Sequence, residues 1–179
     1  MKELEQHLNP TPLRSRLAVF DALPRRPRRR VPEDLPKSQM TSLMIRNVPV
    51  TLTQREALHL FLDAFTKEAI DFFYLPTDIS KKERLGLGFC FVNFVSAEAA
   101  AEFRRAFTGR PLLAGGFPLA ISTAAVQGLA QNIENVRLNP TVRRIKNPEY
   151  LPLTKNPQGR FVAVSCLPTL PSSPIVADL

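Results

Sequence analysis

Residues 87–94 read Leu87-Gly88-Phe89-Cys90-Phe91-Val92-Asn93-Phe94. Side chains of an extended strand alternate between its two faces, so Phe89, Phe91 and Asn93 share one face and Cys90, Val92 and Phe94 the other. The second set is an ordinary core face. The first sets two phenylalanines side by side on the opposite surface, where exposed neighbouring rings cost solubility unless a ligand stacks on them.

The neighbouring segments supply the rest of a sheet. Ser42-Leu43-Met44-Ile45-Arg46-Asn47-Val48 alternates as a first strand stopped by Pro49, with Leu43 and Ile45 on one face and Met44 and Arg46 on the other. Thr53-Gln54-Arg55-Glu56 has the spacing of a capping box, and Leu58, Phe61, Leu62 and Phe65 follow as one apolar helical stripe. Residues 70–75 read as a second strand closed by Pro76; with Phe73 and Leu75 turned to the core, Phe72 and Tyr74 face outward, unless a bulge exchanges the faces. Ser96 is a good N-cap for a second helix with Ala99, Phe103, Ala106 and Phe107 on its apolar side, and Gly109 ends it. Residues 119–122 alternate as a fourth strand.

The order βαββαβ predicts an α+β, ferredoxin-like sandwich, a four-stranded antiparallel sheet with two helices on one face. The other face is then free for a ligand. Leu129, Ile133 and Val136 stripe an additional C-terminal helix, and residues 159–164 read as a possible short strand.

Proline and charge divide the 179 residues. Six of the 17 prolines lie in residues 1–40 and seven in 127–179, which leaves the middle freest to form regular structure. The expected organisation is a basic, Pro-rich disordered arm over 1–39 and a folded domain over 40–126. An extension with the third helix follows over 127–153, then a Pro-rich tail over 154–179. Net charge is +8, yet residues 41–126 carry nine Lys/Arg against eight Asp/Glu, so the flanks hold most of the excess. A polyanion would meet the flanks first. The densest run, Arg25-Arg26-Pro27-Arg28-Arg29-Arg30, suits electrostatic RNA contact or nuclear import. The same charge would also serve only to keep a disordered tail in solution.

Cys90 and Cys166 are the two cysteines, and neither a signal-like segment nor a bilayer-length apolar run is present. The chain therefore reads as an intracellular protein, nuclear or cytoplasmic, without a membrane partner. His7 and His59 lack metal-ligand spacing, and there is no GxxxxGK phosphate loop or GxSxG turn. No metal, cofactor, small-molecule substrate or catalytic residue is expected, and Cys90 falls on the core face, where a thiol is usually structural.

Four blocks carry a resemblance: Thr41-Ser42-Leu43-Met44-Ile45-Arg46-Asn47-Val48-Pro49, Asp71-Phe72-Phe73-Tyr74-Leu75-Pro76, Gly88-Phe89-Cys90-Phe91-Val92-Asn93-Phe94 and Ala125-Val126-Gln127-Gly128. They resemble an RNA recognition motif (RRM), and more narrowly the C-terminal RRM of the Mei-two-like meiosis regulators. The resemblance runs over about residues 40–153 and includes Pro148-Glu149-Tyr150-Leu151-Pro152-Leu153. It implies a eukaryotic RNA-binding protein in post-transcriptional, meiotic or developmental control. It also implies stacking roles for Phe89 and Phe91 and matches Asn47 to the asparagine ending the family's first strand. This chain departs from the pattern at three places. Met44 stands where many RRMs carry a third ring, Leu87 replaces a usual Lys/Arg, and Thr123 and Ala125 fall where relatives often have Tyr and Arg.

The expected function is binding of single-stranded RNA without catalysis. Phe89 and Phe91 stack bases, Met44 and Tyr74 pack beside them, Arg46 offers a cation, and Arg25, Arg26, Arg28, Arg29 and Arg30 meet phosphate. The alternative is an RRM-like module whose apolar sheet face binds a protein segment or its own C-terminal helix.

Overall fold

Strand β3 (Phe89–Phe94) is flanked by antiparallel partners, β1 (Ser42–Arg46) on one side and β2 (Ile70–Tyr74) on the other. This computed structural model describes residues 35–80 and 83–164. One face of the three strands presents Leu43, Ile45, Phe73, Cys90, Val92 and Phe94, all buried against α1 (Gln54–Ala64) and α2 (Ala97–Phe107). The helices start where the sequence places them. Thr53 and Glu56 form the reciprocal capping box, with the Thr53 N–H donating to Glu56 Oε2 at 2.8 Å, and Ser96 Oγ accepts from the Ala99 N–H. Between helices and sheet, Phe103 stacks on Phe107 at 4.2 Å and meets Phe61, Phe65 and Phe94 at 5.0–5.4 Å. β4 (Ala120–Thr123) pairs along β1 and completes the ferredoxin-like βαββαβ sandwich.

The sheet does not stop at four strands. After α3 (Leu129–Leu138) and the single turn α4 (Pro140–Arg143), β5 (Leu153–Lys155) pairs with β2, and β6 (Phe161–Ala163) pairs with β5. The order is β4-β1-β3-β2-β5-β6. β6 falls inside the expected short strand. β5 was invisible, because three residues are too few for alternation to register. Gln54, buried at the start of α1, ties this addition down. Its Nε2 donates to Leu151 O at 2.6 Å while its Oε1 accepts from the Leu75 N–H at 2.9 Å.

The second face of the sheet is covered on the β2 side. Gly128, at φ 79°, takes a left-handed turn that costs glycine little and sends α3 back across the strands. Just before it, Gln127 clamps β1, accepting from the Ser42 N–H at 2.8 Å and donating to Ser42 O at 2.9 Å. Val136 then packs with Phe72 and Tyr74, flanked by Leu129, Ile133 and Phe91. A register shift between Ile70 and Phe72 lets Ile70 and Phe73 both reach the α1/α2 core, while Phe72 and Tyr74 lie under α3. The outward direction predicted for Phe72 and Tyr74 is correct, but their exposure is not: they are 1% and 9% exposed. The apolar stripe of α3 has to be buried somewhere, and these two rings supply the matching surface. Among the described residues, no helix is long and apolar enough to cross a membrane.

Candidate nucleic-acid interface

What α3 leaves open is the β1 side of the same face. Strand pairing sets Met44 opposite Phe91 and Arg46 opposite Phe89, which places all four side chains together on the face away from α1 and α2. Phe89 and Phe91 are half-buried, with ring centroids 5.7 Å apart and planes at 83°. Arg46 is exposed, and its Nη1 donates to Ser122 Oγ at 3.2 Å, which leans the guanidinium over β4. These residues form one wall of an open cleft of about 840 Å³. The other wall is α3 and its C-cap, through Asn132, Asn135, Val136 and Asn139, and residues 124–126 close one side. Such a surface offers π faces, a polarizable thioether and a cation with spare donors, the groups that hold an unstacked base and its phosphate.

Tyr74 lines the floor of this cleft rather than its rim. Burial pushes its phenol up to about 12, so the hydroxyl stays neutral. The expectation that it joins an exposed aromatic surface is corrected by the docking of α3. Asn47 is exposed, but it works as a turn residue: its φ is 66°, a left-handed conformation asparagine tolerates, and its Nδ2 donates to Pro118 O at 2.7 Å. That bond ties the end of β1 to the chain entering β4. Cys90 is fully buried in the core, where desolvation pushes its thiol well above the ordinary range. Arg25, Arg26, Arg28, Arg29 and Arg30 lie outside the described residues.

Asn93 shares its face with Phe89 and Phe91, as alternation requires, yet it is only 2% exposed. Its Oδ1 accepts from Thr41 Oγ1 at 2.8 Å and Ser42 Oγ at 2.6 Å, and its Nδ2 donates to Asp71 Oδ1 at 2.8 Å. Asn132 of α3 joins the network by donating to Ser42 Oγ at 2.9 Å. Burial raises the pKa of Asp71, while the Asn93 hydrogen bond and the Lys155 charge draw it back down. The network fastens α3 to β1 and β3 through side chains that all have partners, the condition for a polar cluster to persist inside a fold. Gln127 and Asn132 were missed in the sequence. The one available signal was Asn132 itself, which with Leu129, Ile133 and Val136 completes an i, i+3, i+4, i+7 pattern and so marks a carboxamide held inside a buried stripe. Among the described residues, no group of His, Cys, Asp or Glu is arranged to hold a metal ion.

The chain is similar to several known proteins. Over 70 residues the chain is 39% identical to protein MEI2-like 2 of Oryza sativa subsp. japonica, covering 39% of this chain and 8% of that protein. Over 114 residues it is 32% identical to meiosis protein mei2 of Schizosaccharomyces pombe, covering 63% of this chain and 14% of that protein. Protein MEI2-like 7 of Oryza sativa subsp. japonica is 28% identical over 140 residues, 68% of this chain and 36% of that protein. In each case the chain spans well under half of the relative's length. Among solved structures it is similar to the second RRM domain of yeast poly(U)-binding protein Pub1, at 21% identity and a TM-score of 0.40, covering 47% of this chain and 93% of that chain. Residues 40–137 match the family described as RNA recognition motif 2, and with these relatives the chain belongs to that family as an RRM of the Mei2-like kind.

Proposed function

We propose that the chain binds single-stranded RNA across the open half of its sheet, with Phe89 and Phe91 as stacking platforms, Met44 packed beside them and Arg46 beside the phosphates. The observation that carries this reading is the cross-strand array of Met44, Phe91, Arg46 and Phe89, half-buried or exposed on a face whose other half is sealed by α3. α3 reaches Phe91, but Phe89 and Arg46 lie outside its apolar cluster. The Arg25–Arg30 run adds electrostatic attraction or directs nuclear import in the same proposal. The relatives, a meiosis protein among them, support a role in post-transcriptional control of meiosis or development. The own-helix alternative is favoured where α3 packs on Phe72 and Tyr74 of β2 and reaches Phe91 of β3.

The test is binding of the full chain to random single-stranded RNA across a salt series, beside the Phe89→Ala/Phe91→Ala variant. Two stacks at roughly 1–3 kcal/mol each make the expected loss at least about 30-fold. The wild-type salt slope should be about −0.7 per phosphate engaged. Binding by the double variant equal to wild type, with both proteins folded by circular dichroism, would remove the sheet from the proposal.

A further inference from the structure

The wall of the cleft opposite the phenylalanines is built from α3, and base stacking makes no use of it. A helix acting only as a cover would present apolar side chains there. This one presents Asn132, Asn135 and Asn139 beside Val136, although asparagine is a weak helix former and its amide needs partners when buried. Asn132 and Asn139 are each held at one end and offer the other. Asn132 gives its Nδ2 to Ser42 Oγ and Gly128 O, which leaves its Oδ1 as the acceptor a ligand would meet. Asn139 uses its Oδ1 to cap α4, accepting from the Thr141 N–H at 2.9 Å, and offers its amide donor. The three residues follow one another over ~10 Å of helix, and the scaffold preorganises the carboxamides of Asn132 and Asn139.

Charge accompanies them. From Arg137 to Lys146 the chain carries Arg137, Arg143, Arg144 and Lys146 and no acidic residue, and Arg143, Arg144 and Lys146 are exposed. The cleft also shares Ala125, Val126, Asn135 and Asn139 with a second trough of about 1040 Å³ that runs on to Leu35, so a strand has a continuous course past α3.

We infer that the α3–α4 wall is a second nucleotide site. A base enters between sheet and helix, the carboxamides of Asn135 and Asn139 read its hydrogen-bonding edge, and the adjoining phosphate meets Arg143 and Arg144. This rests on the RNA-binding reading above and adds to it the place where base identity is read. Aromatic faces accept every base, whereas carboxamides distinguish the donor and acceptor pattern of one from another.

Selection of the full chain on a randomised single-stranded RNA pool, with the bound fraction sequenced and affinities measured at several salt concentrations, tests the site. Asn139→Ser keeps an α4 cap but removes the amide donor, and Asn135→Ala removes the neighbouring carboxamide. Each should flatten the base preference at one RNA position by roughly tenfold while leaving the salt slope unchanged. Arg143→Ala/Arg144→Ala should do the reverse, reducing the slope by about 0.7 per phosphate lost and leaving the preference intact. A wild-type chain with no preference at any position overturns the inference. So does an unchanged preference profile in both asparagine variants, even where Phe89→Ala/Phe91→Ala loses binding and the stacking face stands. Flattened preference in the asparagine variants, with wild-type affinity in the phenylalanine pair, would instead keep this site and discard the stacking one.

Discussion

Replacing Asn93 by alanine removes the junction on which β1, β2 and β3 converge. Four hydrogen bonds leave with the side chain, those from Thr41 Oγ1 and Ser42 Oγ and those to Asp71 Oδ1 and Phe94 O, at 2.6–3.1 Å. They do not weigh equally. The bond to the Asp71 carboxylate involves a charged acceptor and is worth roughly 1.5–3 kcal/mol, whereas each neutral bond is worth about 0.5–1.5 kcal/mol. Ser42 keeps Asn132 as a donor, half-buried Thr41 can turn to water, and the bond to Phe94 O is local, which trims the neutral share. The expected loss is about 3–4 kcal/mol, a large fraction of the ~5–15 kcal/mol that holds a typical domain.

The loss should depend on pH. Burial holds the Asp71 carboxyl above its ordinary 3.8, so the folded state favours the proton. Its contribution is therefore complete below the ordinary pKa and is lost as pH rises through the raised one. Without the Asn93 donor the carboxyl rises further, and the deficit of the variant widens from acid toward neutral pH. Urea unfolding followed by far-UV circular dichroism at both ends of that range measures it, with the midpoint falling at constant m. A loss under about 1 kcal/mol, or one that does not grow with pH, would refute this account. Weakened RNA binding with stability intact would return Asn93 to the ligand surface.

Two further outcomes follow from the docking of α3. In a spectrophotometric titration of the two tyrosines, Tyr74 should ionise near pH 12, and the late step should vanish in Tyr74→Phe. Because burial favours the neutral phenol, stability should fall between about pH 10 and 12. A Tyr74 that titrates near pH 10 would mean that α3 does not cover it. A chain ending at residue 126 loses α3 and β5 together and uncovers Phe72, Tyr74 and part of the β2 edge. It should bind a hydrophobic dye and unfold without a sharp transition, whereas a cooperative transition matching the full chain would show that residues 127–164 are dispensable for folding.

The sandwich was legible because its signals are local. The period of two in Phe89–Phe94, the Thr53/Glu56 capping box and the Ser96 cap each lie within a few residues, and each names an element and the face it buries. The same periodicity put Met44, Arg46, Phe89 and Phe91 on one surface. Alternation, however, says which side chains share a face and nothing about what comes to rest on it. Phe72 and Tyr74 were assigned the right direction and the wrong environment, because the helix that buries them begins more than 50 residues beyond either in the chain. That docking depends on Gln127 and Asn132 reaching Ser42, 85 and 90 residues away, and on Val136 finding Phe72 and Tyr74. β5 joined the sheet for a similar reason, since three residues carry no pattern and the open edge of β2 recruited them. The amino-acid sequence thus determined the strands, the helices and the two faces of the sheet. Tertiary packing decided which half of the second face stayed open, because burying the apolar stripe of α3 required partners that only the folded sheet brings together.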